Sequence, residues 1–222
     1  MKWFLNSLIF LCLLNWSLFA KDEKSNYIIQ VAGIKIGELV WEYKIENEQY
    51  TNRLSLKSKG LLSSLYSFKG EYFSNGTIYQ KKLTPKKYTH FWQTKKTKKN
   101  MELLFDDNRL VGLKQEPLEK EGLRTNVYVI DYTTDPLSSF IKIMMGEDKA
   151  LVVDGRRLYT MLATSTDNKN RITIEISNYS NLWADHKRKK FEKLIFLKDS
   201  NSFFPSKIFI HFDNRVFKLY RN

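Results

Sequence analysis

The sequence predicts a mainly β protein: an antiparallel, strongly curved sheet or partly open barrel with one short helix packed on its concave face. Three observations carry this expectation. Residues 37–45 alternate as a strand with one buried face, Leu39, Trp41, Tyr43 and Ile45 pointing one way and Glu38, Glu42 and Lys44 the other, with Val40 the exception. Turn-forming clusters recur at short intervals, at Glu46-Asn47-Glu48, Ser74-Asn75-Gly76, Asp106-Asp107-Asn108, Asp167-Asn168-Lys169-Asn170 and Asp213-Asn214; Asn-Gly in particular supports the positive φ of a tight hairpin. Finally, a single segment, 135–145, carries clear helical spacing.

In chain order, residues 27–32 read as a strand partnering 37–45, with Gly33-Ile34-Lys35-Ile36-Gly37 as a glycine-bracketed turn or bulge between them. Aromatic and β-branched stretches follow at 66–73, 88–94, 101–105, 171–176, 191–197 and 208–212, spaced closely enough for a meander of about ten strands. In the helical segment Asp135 can cap and Pro136 suits the first position. Leu137, Phe140, Ile141 and Met144 fall at i, i+3, i+4 and i+7, and Gly146 can end the helix. Its apolar face needs a cover, which the concave side of the sheet supplies. Residues 181–190 read as a second helical or loop insertion. No internal repeat, low-complexity linker or composition shift divides the chain, so residues 21–222 are expected to form one β-rich domain.

Residues 1–20 have the layout of an export signal. Met1-Lys2 is a short positive start, residues 5–14 are apolar apart from Asn6 and Ser7, and Ser17-Leu18-Phe19-Ala20 precedes the charged Lys21-Asp22-Glu23-Lys24. Asn15 and Ser17 interrupt a stretch already shorter than the roughly 20 residues of a membrane span, so cleavage near Ala20 and a periplasmic location are expected. Cys12, the single cysteine, follows the bulky Ile9-Phe10-Leu11 and reads as part of the apolar run rather than as a lipid attachment point. Cleavage would leave a chain without disulfide, thiol nucleophile or thiolate metal site.

The formal net charge is +13. For an exported protein this points away from nucleic acid and toward the phosphates of an anionic membrane surface. Residues 81–99 hold eight lysines and no carboxylate, and Lys187-Arg188-Lys189-Lys190 forms a second block. Both are also what protected hairpin edges look like.

Catalytic chemistry is not advertised. His90, His186 and His211 lie far apart, and only Asp185 stands beside one of them. No phosphate loop, nucleophile elbow or zinc-protease signature occurs, and Glu38 and Glu42 read as a solvated outer face. No metal, cofactor or catalytic residue is therefore assigned. Asp154-Gly155-Arg156-Arg157 reads as a corner entering a strand; an inward arginine there must pair with Asp135 or Asp154, or meet an anionic ligand, because an isolated buried charge is very costly.

Several ordered fragments carry a resemblance: Gly33-Ile-Lys-Ile-Gly37, Lys59-Gly60-Leu61, Tyr72-Phe-Ser-Asn-Gly76, Leu83-Thr-Pro85, Phe105-Asp106, Asp135-Pro136-Leu137-Ser138 and Asp154-Gly155-Arg156-Arg157. Over residues 27–163 the chain resembles a family of exported proteobacterial proteins classified as a domain of unknown function. The resemblance implies a periplasmic or envelope location and a β-rich fold, and no activity. A more distant likeness, of architecture alone, is to lipoprotein-carrier proteins, whose curved sheet wraps a helix around an acyl-chain cavity. The expected function is a non-enzymatic envelope protein binding a lipid or other amphiphile. Leu39, Trp41, Tyr43, Phe68, Tyr72, Trp92 and Phe140 would line the site, with Arg156 and Arg157 at its mouth. A structural or interaction module with a filled core is the alternative, and an enzyme acting on envelope polymers the third reading.

Overall fold

A computed structural model describes residues 21–60, 63, 67–120, 122–165, 170–183, 191–199 and 202–222. The export signal at 1–20, most of the insertion at 181–190 with His186 and the second basic block, and the turn at 167–169 lie outside the described residues.

Fourteen strands form one sheet: β1 (Lys21–Val31), β2 (Ile34–Glu46), β3 (Gln49–Ser58), β4 (Phe68–Tyr79), β5 (Lys82–Thr94), β6 (Lys98–Asp106), β7 (Arg109–Glu116), β8 (Thr133–Thr134), β9 (Lys149–Val153), β10 (Arg157–Ser165), β11 (Arg171–Asn181), β12 (Phe191–Asp199), β13 (Ser202–Phe212) and β14 (Arg215–Arg221). Two antiparallel meanders, β1–β7 and β9–β14, are joined edge to edge by β1 against β14, with Tyr27 opposite Arg221. The sheet thereby curls into a nearly closed barrel. β8 pairs with β9 in parallel, because α1 (Pro136–Met144), the one α-helix among the described residues, is the crossover between them and packs inside the barrel. The seam between β7 and β8 is bridged where the Thr133 N–H donates to the Asn108 carbonyl at 2.8 Å and Arg109 pairs with Asp131. Past that bridge the chain continues as a strap, described at residues 117–120 and 122–130. It is tied down by Leu123 against Trp183 and by the Arg124 N–H donating to the Leu182 carbonyl at 2.7 Å.

The sequence expectation of about ten strands is too low. β3, β7, β9 and β14 are short or rich in polar and charged residues, so their alternation is faint in sequence and is fixed by their neighbours in the sheet. Ser74-Asn75-Gly76 is not a turn but the interior of β4, at a register shift opposite Lys87 and Pro85. Glycine is needed there for space: a Cβ on Gly76 would lie 2.1 Å from the Thr84 carbonyl oxygen and 2.8 Å from the Tyr50 ring. The first hairpin turns at Ala32-Gly33, and residues 34–37 already belong to β2, with a register shift at Ile29/Gln30. Among the described residues five two-residue hairpins, at 32–33, 47–48, 80–81, 107–108 and 213–214, have positive φ at both residues, the conformation whose twist matches that of the strands.

Helix α1 enters the barrel through a buried polar collar. Asp135 Oδ1 accepts from the Leu137 and Ser138 N–H groups, both at 2.9 Å, so the free amides of the first turn are satisfied. Oδ2 accepts from the hydroxyls of Ser74 and Ser138. With both serine protons spent on the carboxylate, the Tyr50 hydroxyl, 2.6 Å from Ser138 Oγ, is the donor to it. Asn52 donates to the Leu137 carbonyl at 3.0 Å and accepts from Trp41 Nε1 at 2.7 Å. These bonds join β2, β3 and β4 to the helix and fix its depth. On the far side of the collar the interior is filled by Tyr43, Tyr50, Leu83, Ile143, Met161, Ile174, Phe196 and Phe204, all buried. The outer face of the sheet carries ion pairs, among them Lys24–Glu42, Lys69–Glu71 and Lys87–Glu102. Glu38, between Lys35 and Lys59, belongs to that solvated face.

Candidate functional site

The half of the barrel that includes the β5–β6 and β9–β10 turns is open. It holds a cavity of about 1030 Å³ whose inner end is Pro136, Leu137 and Phe140 of α1 and whose walls include Leu39, Leu54, Leu56, Trp92, Phe191, Ile210 and Phe212. The cause of the opening lies in β2 and β4. A Cβ on Gly37 would stand 3.1 Å from the Phe68 ring, and one on Gly70 would stand 2.9 Å from Trp92. Phe68 and Trp92 therefore lie close against the wall over these glycines, stacked on each other at 5.6 Å and 7°, instead of projecting across the lumen.

Of the residues expected from the sequence, Leu39, Tyr72, Trp92, Phe140, Arg156 and Arg157 line this cavity together. Phe68 stands behind Trp92. Trp41 and Tyr43 are placed elsewhere, in the filled half: Trp41 packs on Phe204 at 4.8 Å and Tyr43 stacks on Phe203 at 5.3 Å. Alternation puts Leu39, Trp41 and Tyr43 on the same face, so it could not separate them.

The two arginines do not alternate across a strand. Arg156 belongs to the turn before β10 and Arg157 is its first residue, and both reach the cavity. Asp154 builds the corner by accepting the Arg156 and Arg157 N–H groups at 2.9 and 2.8 Å, with Gly155 at φ +84°. The Arg157 guanidinium lies 3.9 Å from Asp154 Oδ2 and 5.5 Å from the centre of the Tyr179 ring. Arg156 instead pairs with Glu119 of the strap at 3.0 Å. Asp135 takes neither arginine, being occupied by the collar. Burial pushes the carboxyls of Asp135 and Asp154 above the usual aspartate range.

Two further groups complete the mouth. His90 stacks on Tyr72 at 4.3 Å, and its Nε2 is buried without a hydrogen-bond partner. Burial, reinforced by Arg156 and Lys99, lowers its pKa to about 4, so the ring is neutral at pH 7. Lys99 is likewise pushed down, by burial and then by Arg156. With Lys95 and Lys96, the lining contains five Lys or Arg side chains against two carboxylates, Glu116 and Asp154, so the mouth is electropositive. The sequence showed the lysine block at 81–99 but not that its end faces Arg156; that juxtaposition follows from strand order alone. Among the described residues no three His, Cys, Asp or Glu side chains converge to hold a metal.

Residues 26–181 match the family described as "Protein of unknown function (DUF3108)". A solved structure, a β-barrel-like protein of the domain of unknown function DUF1849 from Brucella abortus, is similar with a TM-score of 0.54 and 11% identity, covering 93% of this chain and 98% of that one. At that identity the likeness concerns the fold. No curated protein matches the chain.

Proposed function

The chain belongs to the DUF3108 family, whose name specifies no activity, and from the geometry of its barrel we propose that it is an exported, non-enzymatic envelope protein holding a lipid or other amphiphile in the open half. One observation carries this reading: a single cavity combines an apolar wall with a basic mouth. Its volume of about 1030 Å³ is at the top of the range of roughly 300–1,000 Å³ typical of small-molecule sites. An interior that served stability alone would be close-packed throughout, as the filled half is. The signal-like residues 1–20 support export, and the positive charge supports residence beside anionic membrane lipid.

The test is native mass spectrometry of the protein purified from its own envelope fraction. A co-purifying amphiphile, removable with organic solvent and restored on reloading, is expected; apo protein in repeated preparations, with no uptake of added amphiphile, would refute the reading. A second reading, a structural or interaction module, draws support from the exposed apolar residues of the strap and its approach, Leu118, Val129 and Tyr132.

A further inference from the structure

The five cations at the mouth are not equivalent. Arg157 faces Asp154 at 3.9 Å and the Tyr179 ring, and its Nε is buried without a hydrogen-bond partner. Lys95 and Lys96 sit on the exposed β5–β6 turn, where water screens them. Lys99 and Arg156 differ: both are partly buried, both line the cavity, and they are close enough for the Arg156 charge to depress the Lys99 amine. Lys99 has no carboxylate within ion-pair distance among the described residues. The nearby carboxylates are otherwise engaged. Asp154 accepts two backbone amides, and Glu116 receives the Asn100 amide at 3.3 Å. Glu119, reaching in from the strap, is the carboxylate within ion-pair distance of Arg156 among the described residues.

Two like charges held together at the edge of an apolar cavity, with one carboxylate reaching in from the strap, is the arrangement that an incoming anion relieves. We propose that Lys99 and Arg156 form the recognition site for a compact anionic headgroup, phosphate or carboxylate, on a single-chain amphiphile, and that Glu119 is the internal anion this headgroup displaces. The inference rests on the amphiphile reading and specifies its ligand. The guanidinium supplies a two-pronged donor to the headgroup oxygens, the ammonium a point charge, and the chain runs inward along Trp92 and Leu56 to Phe140. The neutral His90 beside them can donate or accept one hydrogen bond.

Calorimetric titration with decyl phosphate, decanoate, decanol and inorganic phosphate tests it. The wild-type chain is expected to bind both anionic amphiphiles at least about tenfold more tightly than decanol. Arg156→Gln and Lys99→Gln should each erase most of that preference while leaving decanol affinity in place. Glu119→Gln, which removes the competitor, should tighten the two anionic amphiphiles roughly threefold to tenfold and leave decanol unchanged. This gain cannot be produced by misfolding. Decanol bound as tightly as decyl phosphate, or a preference surviving both cation substitutions, would overturn the headgroup site and leave the amphiphile reading standing. Failure of all three amphiphiles to bind would instead overturn the amphiphile reading. Inorganic phosphate bound as tightly as decyl phosphate would also overturn the proposal, showing a free-anion site without a role for the chain.

Discussion

The two halves of this barrel are built from the same strands and the same alternation, yet one is filled and the other is open. In the filled half inward rings project and meet: Trp41 on Phe204 and on Phe140, Tyr43 on Phe203, and Phe140 on Phe196. In the open half Phe68 and Trp92 lie against glycines, and α1 reaches only its inner end. Alternation decides which side chains face inward. What stands opposite, and whether a glycine lets a ring fold back, decides whether the interior closes.

The sharpest way to break this comparison is to truncate one large side chain in each half. Phe204→Ala should cost about 3–5 kcal/mol, since it leaves a void among packed rings, whereas Phe212→Ala, beside existing space, should cost about 1 kcal/mol or less. Equal losses in chemical denaturation would show that the open half is not open in solution. Next in size is the collar between the halves. Asp135→Ala would strand two backbone amides and two serine hydroxyls, at a cost of about 3 kcal/mol, while Asp135→Asn, which keeps an acceptor for the helix, should lose less. The melting temperatures of the two variants check the order.

A third contrast concerns pH. His90 has a folded pKa of about 4 against an ordinary 6.5, so as pH falls between these values the unfolded chain takes up a proton that the folded one refuses. Stability from this group is complete above pH 6.5 and is lost toward pH 4. The difference at pH 5 is roughly 2 kcal/mol. The charged groups around the ring are Arg156 and Lys99, which reinforce the effect; Asp135 and Asp154, raised by burial, gain stability as pH falls and act oppositely. The comparison is therefore between wild type and His90→Asn: the variant should lose less stability from pH 7 to pH 5. An unchanged slope would contradict a buried neutral ring. The smallest expected effect separates two tyrosines. Tyr50→Phe removes a donor to Ser138 and should cost roughly 1 kcal/mol, while Tyr43→Phe, which deletes a buried hydroxyl without a partner, should be neutral or stabilising.

Sequence reasoning reached the fold class and the helix because both rest on local signals: the two-residue period of 37–45, and Asp135, Pro136 and Gly146 bracketing an apolar i, i+3, i+4, i+7 set. It missed strands such as β14, whose Arg-Val-Phe-Lys-Leu-Tyr-Arg owes its conformation to β1 and β13. Asn75-Gly76 misled because Asn-Gly serves both hairpins and close backbone approach, and only the neighbouring Thr84 and Tyr50 tell which. The juxtaposition of Lys99 and Arg156, 57 positions apart, needs the sheet to curl until β6–β7 at one edge meet β8–β9 at the other, which no local pattern encodes.

The central claim, that one half of the barrel takes an acyl chain and the other cannot, is tested most directly by a chain carrying a bromine quencher. Decanoate brominated at the carbon next to its carboxylate is titrated into two single-tryptophan variants, one keeping Trp92, the cross-strand neighbour of Lys99, and one keeping Trp41, which lies on the far side of Phe140. Saturable loss of Trp92 emission with little change at Trp41 is the predicted result; equal quenching of both, or of neither, would contradict it.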